Sequence, residues 1–231
     1  MTFTAAQQLL IDRVESRIDE ITPQGQTPTV SHNTIWAELE DAANYVLEIA
    51  PPDIAAWAAS DSTADANINF ANNAYATVVN LEEEVIRVLR VKCDGWRKPV
   101  DDILRPSATP QMPGDGATYR RQTNPYQGST QGSPGAHLVP KISGNRRWAL
   151  ECYPLDPDAS PIEELIVVKT TTPDSIPDTA GGRPLYDAMI WEAAGRALLF
   201  IKQSQFGRIA SANAMVRLGL QPPDIKQARE S

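Results

Sequence analysis

Histidine and cysteine are nearly missing from this chain: its 231 residues hold two of each. Cys93 and Cys152 supply neither a disulfide framework nor a tetrahedral zinc site. They read as small apolar residues half-buried in strands. His32 and His137 both fall in loops, and His32 reads as a polar neighbour of a helix cap rather than as a general base. No G-x-S-x-G elbow, H-E-x-x-H pair or G-x-x-x-x-G-K-[ST] loop occurs, so the motif-borne hydrolase, metalloprotease and P-loop chemistries have no foothold. Long apolar runs are missing too; nothing approaches the roughly 18 residues of a membrane span. The N-terminal MTFTAAQQ lacks a basic segment followed by an apolar core, so no secretory signal is expected. A soluble protein made in a reducing cytoplasm, with no membrane partner, is the expectation. Basic charge is also short: 21 Lys and Arg stand against 29 Asp and Glu, a net charge of −8. A general nucleic-acid clamp needs a basic face to release counterions from phosphates, so that class is disfavoured.

Several local clusters look briefly like sites. Pro113-Gly114-Asp115-Gly116 has no strand before it and no helix after it, and too few carboxylates for a calcium loop, so it reads as a plain turn. Glu82, Glu83 and Glu84 do not share a face and suit the start of a helix. Asp156, Asp158, Glu163 and Glu164, set among prolines, read as a charged rim. Arg120-Arg121 and Arg146-Arg147 suit salt bridges to acidic neighbours or to another subunit. No catalytic, cofactor-binding or metal-ligating set is predicted.

Proline, by contrast, is plentiful at 19 residues, and most of it lies after Pro99, so the second half is loop-rich. The first half is helical. Thr4-Ala5-Ala6-Gln7 has the form of a capping box, and Leu10, Val14, Ile18 and Ile21 follow at helical spacing, predicting a helix over Thr4–Ile21. A second helix starts near Ser31–Thr34, carries Ile35, Leu39, Ala42, Ala43, Val46 and Leu47 on one stripe, and stops at Pro51-Pro52. Ile54–Ala59 adds a short turn. Ser60–Ala76, rich in Ala, Asn, Asp and Ser, reads as a weakly structured connection.

Leu81–Val100 is where the chain changes character. Its first half reads as a helical or extended lead-in, and Val88–Trp96 as a strand. Gly95 permits a bend there, and Pro99 ends the ladder. Strands are predicted near Ala136–Val139, Arg147–Tyr153 and Ile162–Thr170. A long third helix is predicted over Pro184–Ser204 with Gly207 as its C-terminal cap, and a fourth over Ile209–Leu220, ended by Gly219 and Pro222-Pro223. The three long helices should pack together, burying Leu39, Val46, Leu198 and Ile201. The expected fold is therefore α+β: a discontinuous helical bundle, residues 1–80 and 184–231, with an inserted loop-rich β subdomain over 81–183.

Within the insertion, Arg105–Lys141 is long for a structureless loop. It is expected to act as a proline-rich arm that orders against a neighbouring subunit or a further partner, the alternative being a local β-hairpin packed on its own subunit. Tyr119, Tyr126 and Leu138 are costly to leave in water, and Arg120 and Arg121 offer forked donors to carboxylates. Trp96 and Trp148, expected on or beside exposed edge strands, are the predicted interface anchors, with Arg97 beside them.

The order of parts resembles the head-to-tail connector proteins of tailed bacteriophages, also called adaptor, ring or head-completion proteins, and most of all those of crAss-like and podovirus-type phages. The residues that carry the likeness are the early helices, the run IRVLRVKCDGWRKPV at 86–100, the knot YRRQTNPY at 119–126 and the return to long helices at Pro184. The resemblance implies a non-enzymatic virion protein of the neck. It would form a homo-oligomeric ring, typically twelvefold in such proteins, beneath the portal protein and against further neck or tail proteins. DNA would pass through its channel without specific binding, and an acidic wall suits that transit. Two other classes compete: an accessory protein of DNA packaging or processing, which needs a metal-carboxylate cluster, and a small soluble binding module, which would be monomeric.

Overall fold

Thr4 caps the first helix as its spacing predicts. Its hydroxyl accepts from the Gln7 amide at 3.3 Å and its own amide donates to Gln7 Oε1 at 2.9 Å, completing the capping box. The computed structural model describes residues 2–23, 28–63, 70–72, 77–82, 84–103, 132, 134–140, 148–153 and 162–222. The fold is α+β. Among the described residues, those of Met1–Ala58 and Thr170–Ser231 make up a helical unit and those of Ala59–Lys169 a β unit.

The helical unit contains α1 (Ala5–Ile21), α2 (His32–Ile49), the short α3 (Pro52–Ala55), α4 (Arg183–Phe200) and α5 (Ser204–Arg217). Ser31 caps α2 by accepting from the Thr34 amide. α4 is the centre: Ala188 through Gly195 are all buried, so it is covered on every side, which is the mark of an interior helix rather than an amphipathic one. It packs against α5, α2 and α1. Leu39, Val46 and Leu198 are buried as expected, whereas Ile201 is only half-buried, because it already lies past the last turn of α4.

The end of α4 corrects the sequence expectation. Gly207 is not a cap; it lies inside α5. The residue in left-handed conformation is Lys202, at φ 65. The Lys202 amide donates to Leu199 O at 3.0 Å and the Gln203 amide to Leu198 O at 2.8 Å, the paired bonds of a Schellman motif. α5 ends in the same way, with Gly219 at φ 71 as the sequence expects.

Among its described residues the β unit holds two antiparallel four-stranded sheets. One has the order β1-β8-β4-β5, with β1 Ala59–Asp61, β8 Glu164–Lys169, β4 Val85–Lys92 and β5 Val100–Ile103. The other runs β2-β3-β7-β6, with β2 Phe70–Asn72, β3 Thr77–Asn80, β7 Trp148–Tyr153 and β6 Gly135–Pro140. Their inner faces share one core, including Val88, Val91, Leu165 and Val167 from the first sheet and Val79, Leu138 and Leu150 from the second. The Ser60–Ala76 stretch is more than a connection: Asp61 pairs with Ile166, and Phe70 with Val79.

Before the strand the Val85 amide closes a turn on Glu82 O at 3.2 Å. The strand starts earlier than its alternation suggests. Its register with β8 shifts between Val85 and Arg87 and again between Val88 and Arg90. Each bulge adds one residue, so Val85, Val88 and Val91, three apart, all reach the same core. That spacing imitates a helix.

Candidate assembly surfaces

Among the described residues, two of those singled out from the sequence as interface anchors are core residues. Trp96 is 4% exposed and Leu138 2% exposed, both inside the β core, which corrects their assignment as interface anchors. The reason for Trp96 is the turn before it. Gly95 takes φ 80, and the Trp96 amide closes the turn on Cys93 O at 3.1 Å, which carries the chain back over the sheet. Leu138 sits on β6, which pairs with β7 from Gly135 to Pro140, so this part of the expected arm is ordinary sheet. Trp148 begins β7, an interior strand between β3 and β6 rather than an edge. Arg97 is exposed in the connection from β4 to β5. Tyr119, Arg120, Arg121 and Tyr126 lie outside the described residues.

The two thiols are fully buried rather than half-buried. A hydrogen bond with Cys93, together with burial, pushes the Cys152 thiol well above the usual range, so Cys152 stands as an inert core group. Across the first sheet, Arg90 bridges Asp101 at 2.6 Å and Glu164 at 3.6 Å, and Lys92 bridges Glu163 at 2.6 Å. Such exposed cross-strand pairs set register more than stability.

In the helical unit, a shallow cleft of ≈ 220 Å³ lies between α1 and α4, lined by Arg13, Arg17, Arg183, Tyr186 and Asp187 among others. Its cations are already partnered. Arg13 meets Asp178 at 3.2 Å, Arg183 meets Asp178 at 3.4 Å, and Arg17 meets Glu20 at 2.6 Å. Arg13 also lies over the Tyr186 ring and Arg17 over Trp191. The cleft is a seam joining two helices, not an anion site. Among the described residues no three His, Cys, Asp or Glu side chains are grouped to hold a metal, and no helix is long and apolar enough to cross a membrane.

What the helical unit does present is a division of charge. α2 carries Glu38, Glu40, Asp41 and Glu48 and no Lys or Arg. Beside it, Arg196 of α4 is engaged by the buried Glu192 at 2.9 Å and lies 5.0 Å over the Tyr45 ring. From Leu199 to Leu220 the chain carries Lys202, Arg208 and Arg217 and no acid. Large apolar side chains stand in water on that stretch: Phe200 is 67%, Val216 57% and Leu199 44% exposed. The signal was present in the sequence as the acid-free run after Arg196, but periodicity does not show which apolar residues a neighbouring helix leaves uncovered.

Burial raises the Glu38 carboxyl above its usual range, with Asp41 and Glu192 adding to the shift and Arg196 opposing it. A carboxyl whose folded pKa is raised is penalised when ionised. The penalty is present above that pKa and vanishes below the unfolded one. Glu38→Gln is therefore expected to raise the melting temperature at pH 7 and to leave it unchanged near pH 3.5. Thermal denaturation of both proteins at the two pH values checks the sign, and an equal gain at both would assign the effect to something other than ionisation.

Compared with known proteins, the chain matches no family model, no curated protein and no solved structure.

Proposed function

We propose that this chain is a structural, non-enzymatic protein that assembles into a closed ring in the head-to-tail connector of a tailed bacteriophage. The ring lies below the portal, joins capsid to tail and extends the DNA channel. The observation that carries the reading is the arrangement of the chain: both of its ends contribute to one helical unit, and a two-sheet β unit is inserted between them. That is the order of parts in the connector proteins the sequence resembles. The excess of acid over base supports it, since a net-acidic wall does not hold phosphates in passage. Apolar side chains left in water on the helical unit are what an assembling subunit carries before its neighbours cover them.

The reading is tested by the mass of the purified protein in solution. Mass photometry is expected to show one dominant species at a fixed multiple of 25.3 kDa, as closed cyclic symmetry gives, and the resemblance implies about twelve copies. A monomer at every concentration would favour the binding-module class instead.

A further inference from the structure

We infer that copies of this chain join head to tail, the exposed side of α5 and the end of α4 in one copy seating on the exposed side of α2 in the next. The inference rests on the ring reading and names the two surfaces that make the joint.

The charges are complementary and separated. Lys202, Arg208 and Arg217 are all exposed, and none is ion-paired among the described residues. α2 offers Glu40 and Asp41 exposed and carries no Lys or Arg. Two copies of a chain with net charge −8 repel at most approaches. The acid-free stretch is one place where an acidic helix is met by cations, and such complementarity selects one docking geometry over others.

The basic side also carries apolar surface. Phe200, Val216 and Leu199 are exposed on the same acid-free stretch of chain as the three cations, whereas on α2 Trp36 is already bonded to Glu40 and Tyr45 already lies under Arg196. Exposed apolar side chains on a cationic stretch are what a docking partner covers.

The placement is that of a ring joint. α4 packs against both α2 and α5, so the two faces sit on different flanks of one central helix. A joint between two different patches is heterologous, and repetition of it closes a ring when the rotation per copy divides a full turn.

The test is charge reversal on the full-length protein. One variant is Arg208→Glu with Arg217→Glu; the other is Glu40→Lys with Asp41→Lys. All four side chains are exposed, and circular dichroism confirms that each variant is folded. Sedimentation velocity is run on the wild type, on each variant and on an equimolar mixture. Each variant alone is expected to remain monomeric where the wild type assembles, because its joint sets like charges against each other. The mixture is expected to assemble again, since alternating copies restore one acidic and one basic face at every joint. Raising the salt concentration should loosen the wild-type ring. Variants that assemble as the wild type does would overturn the assignment of surfaces and leave the ring reading standing. Variants that fail both alone and mixed would overturn the pairing of these two faces. A wild type that stays monomeric would overturn the ring reading and this inference with it.

Discussion

Leu198→Ala should lower the unfolding free energy of the helical unit by about 2–5 kcal/mol, the range for truncating a fully buried leucine. Leu198 has no exposed surface, and it lies in the helix that every other long helix of its unit packs against. Its carbonyl also accepts from the Gln203 amide at 2.8 Å, which closes the turn into α5. Removing three carbons therefore opens a cavity inside the packed helices. Urea denaturation followed by helical circular dichroism reads the loss as a lower midpoint with an unchanged slope. A midpoint within a few tenths of a kcal/mol of the wild type would mean that α4 is not the interior helix.

Gly207→Ala carries the opposite sign from ordinary helix behaviour. In an exposed helix the change gains about 1 kcal/mol from propensity. Here a Cβ at position 207 would stand 2.8 Å from Gly195 O and 2.7 Å from Leu199 Cγ. The backbone carbonyl has no rotamer to move into, so α5 must shift away from α4. A net loss of about 1–3 kcal/mol is expected, as for overpacking. Gly195→Ala meets the same joint from the other helix, with Ser211 Oγ at 2.6 Å and Gly207 O at 3.0 Å. A Gly207→Ala protein that melts higher than the wild type would show that the two helices do not approach this closely.

These two glycines also show where the sequence stopped being legible. Features set by neighbours a few residues away were readable. The Thr4–Gln7 box, the Ser31 cap, the apolar stripe of α2 and the Gly219 stop all act within one turn of helix. Gly207 was misread because a glycine near a helix end has two uses, left-handed backbone or close approach. Only the structure shows that Lys202 took the first role and Gly207 the second. β4 was blurred because two bulges convert strand spacing into a period of three. β1 was missed because Ala59 pairs with Val168, more than a hundred residues away, and its own composition says little. Trp96 shows a limit of a different kind. A large apolar residue beside Arg97 and Lys98 suggests an anchor, but the turn that buries it depends on one glycine torsion.

The candidate surfaces were less legible than the fold. Interface residues were sought where aromatic and basic groups are adjacent in sequence. The structure instead leaves apolar and cationic side chains exposed along α5 and the end of α4, too far apart in sequence to stand out as a motif. The acidic face of α2 is legible as composition, yet its meaning depends on what the facing copy presents.

Electron microscopy of the purified protein tests assembly into a ring around a channel most directly. Class averages are expected to show closed rings of one size, with rotational symmetry near twelvefold and a central opening wide enough for a DNA duplex. Compact single subunits at every concentration, with no closed rings, would contradict it.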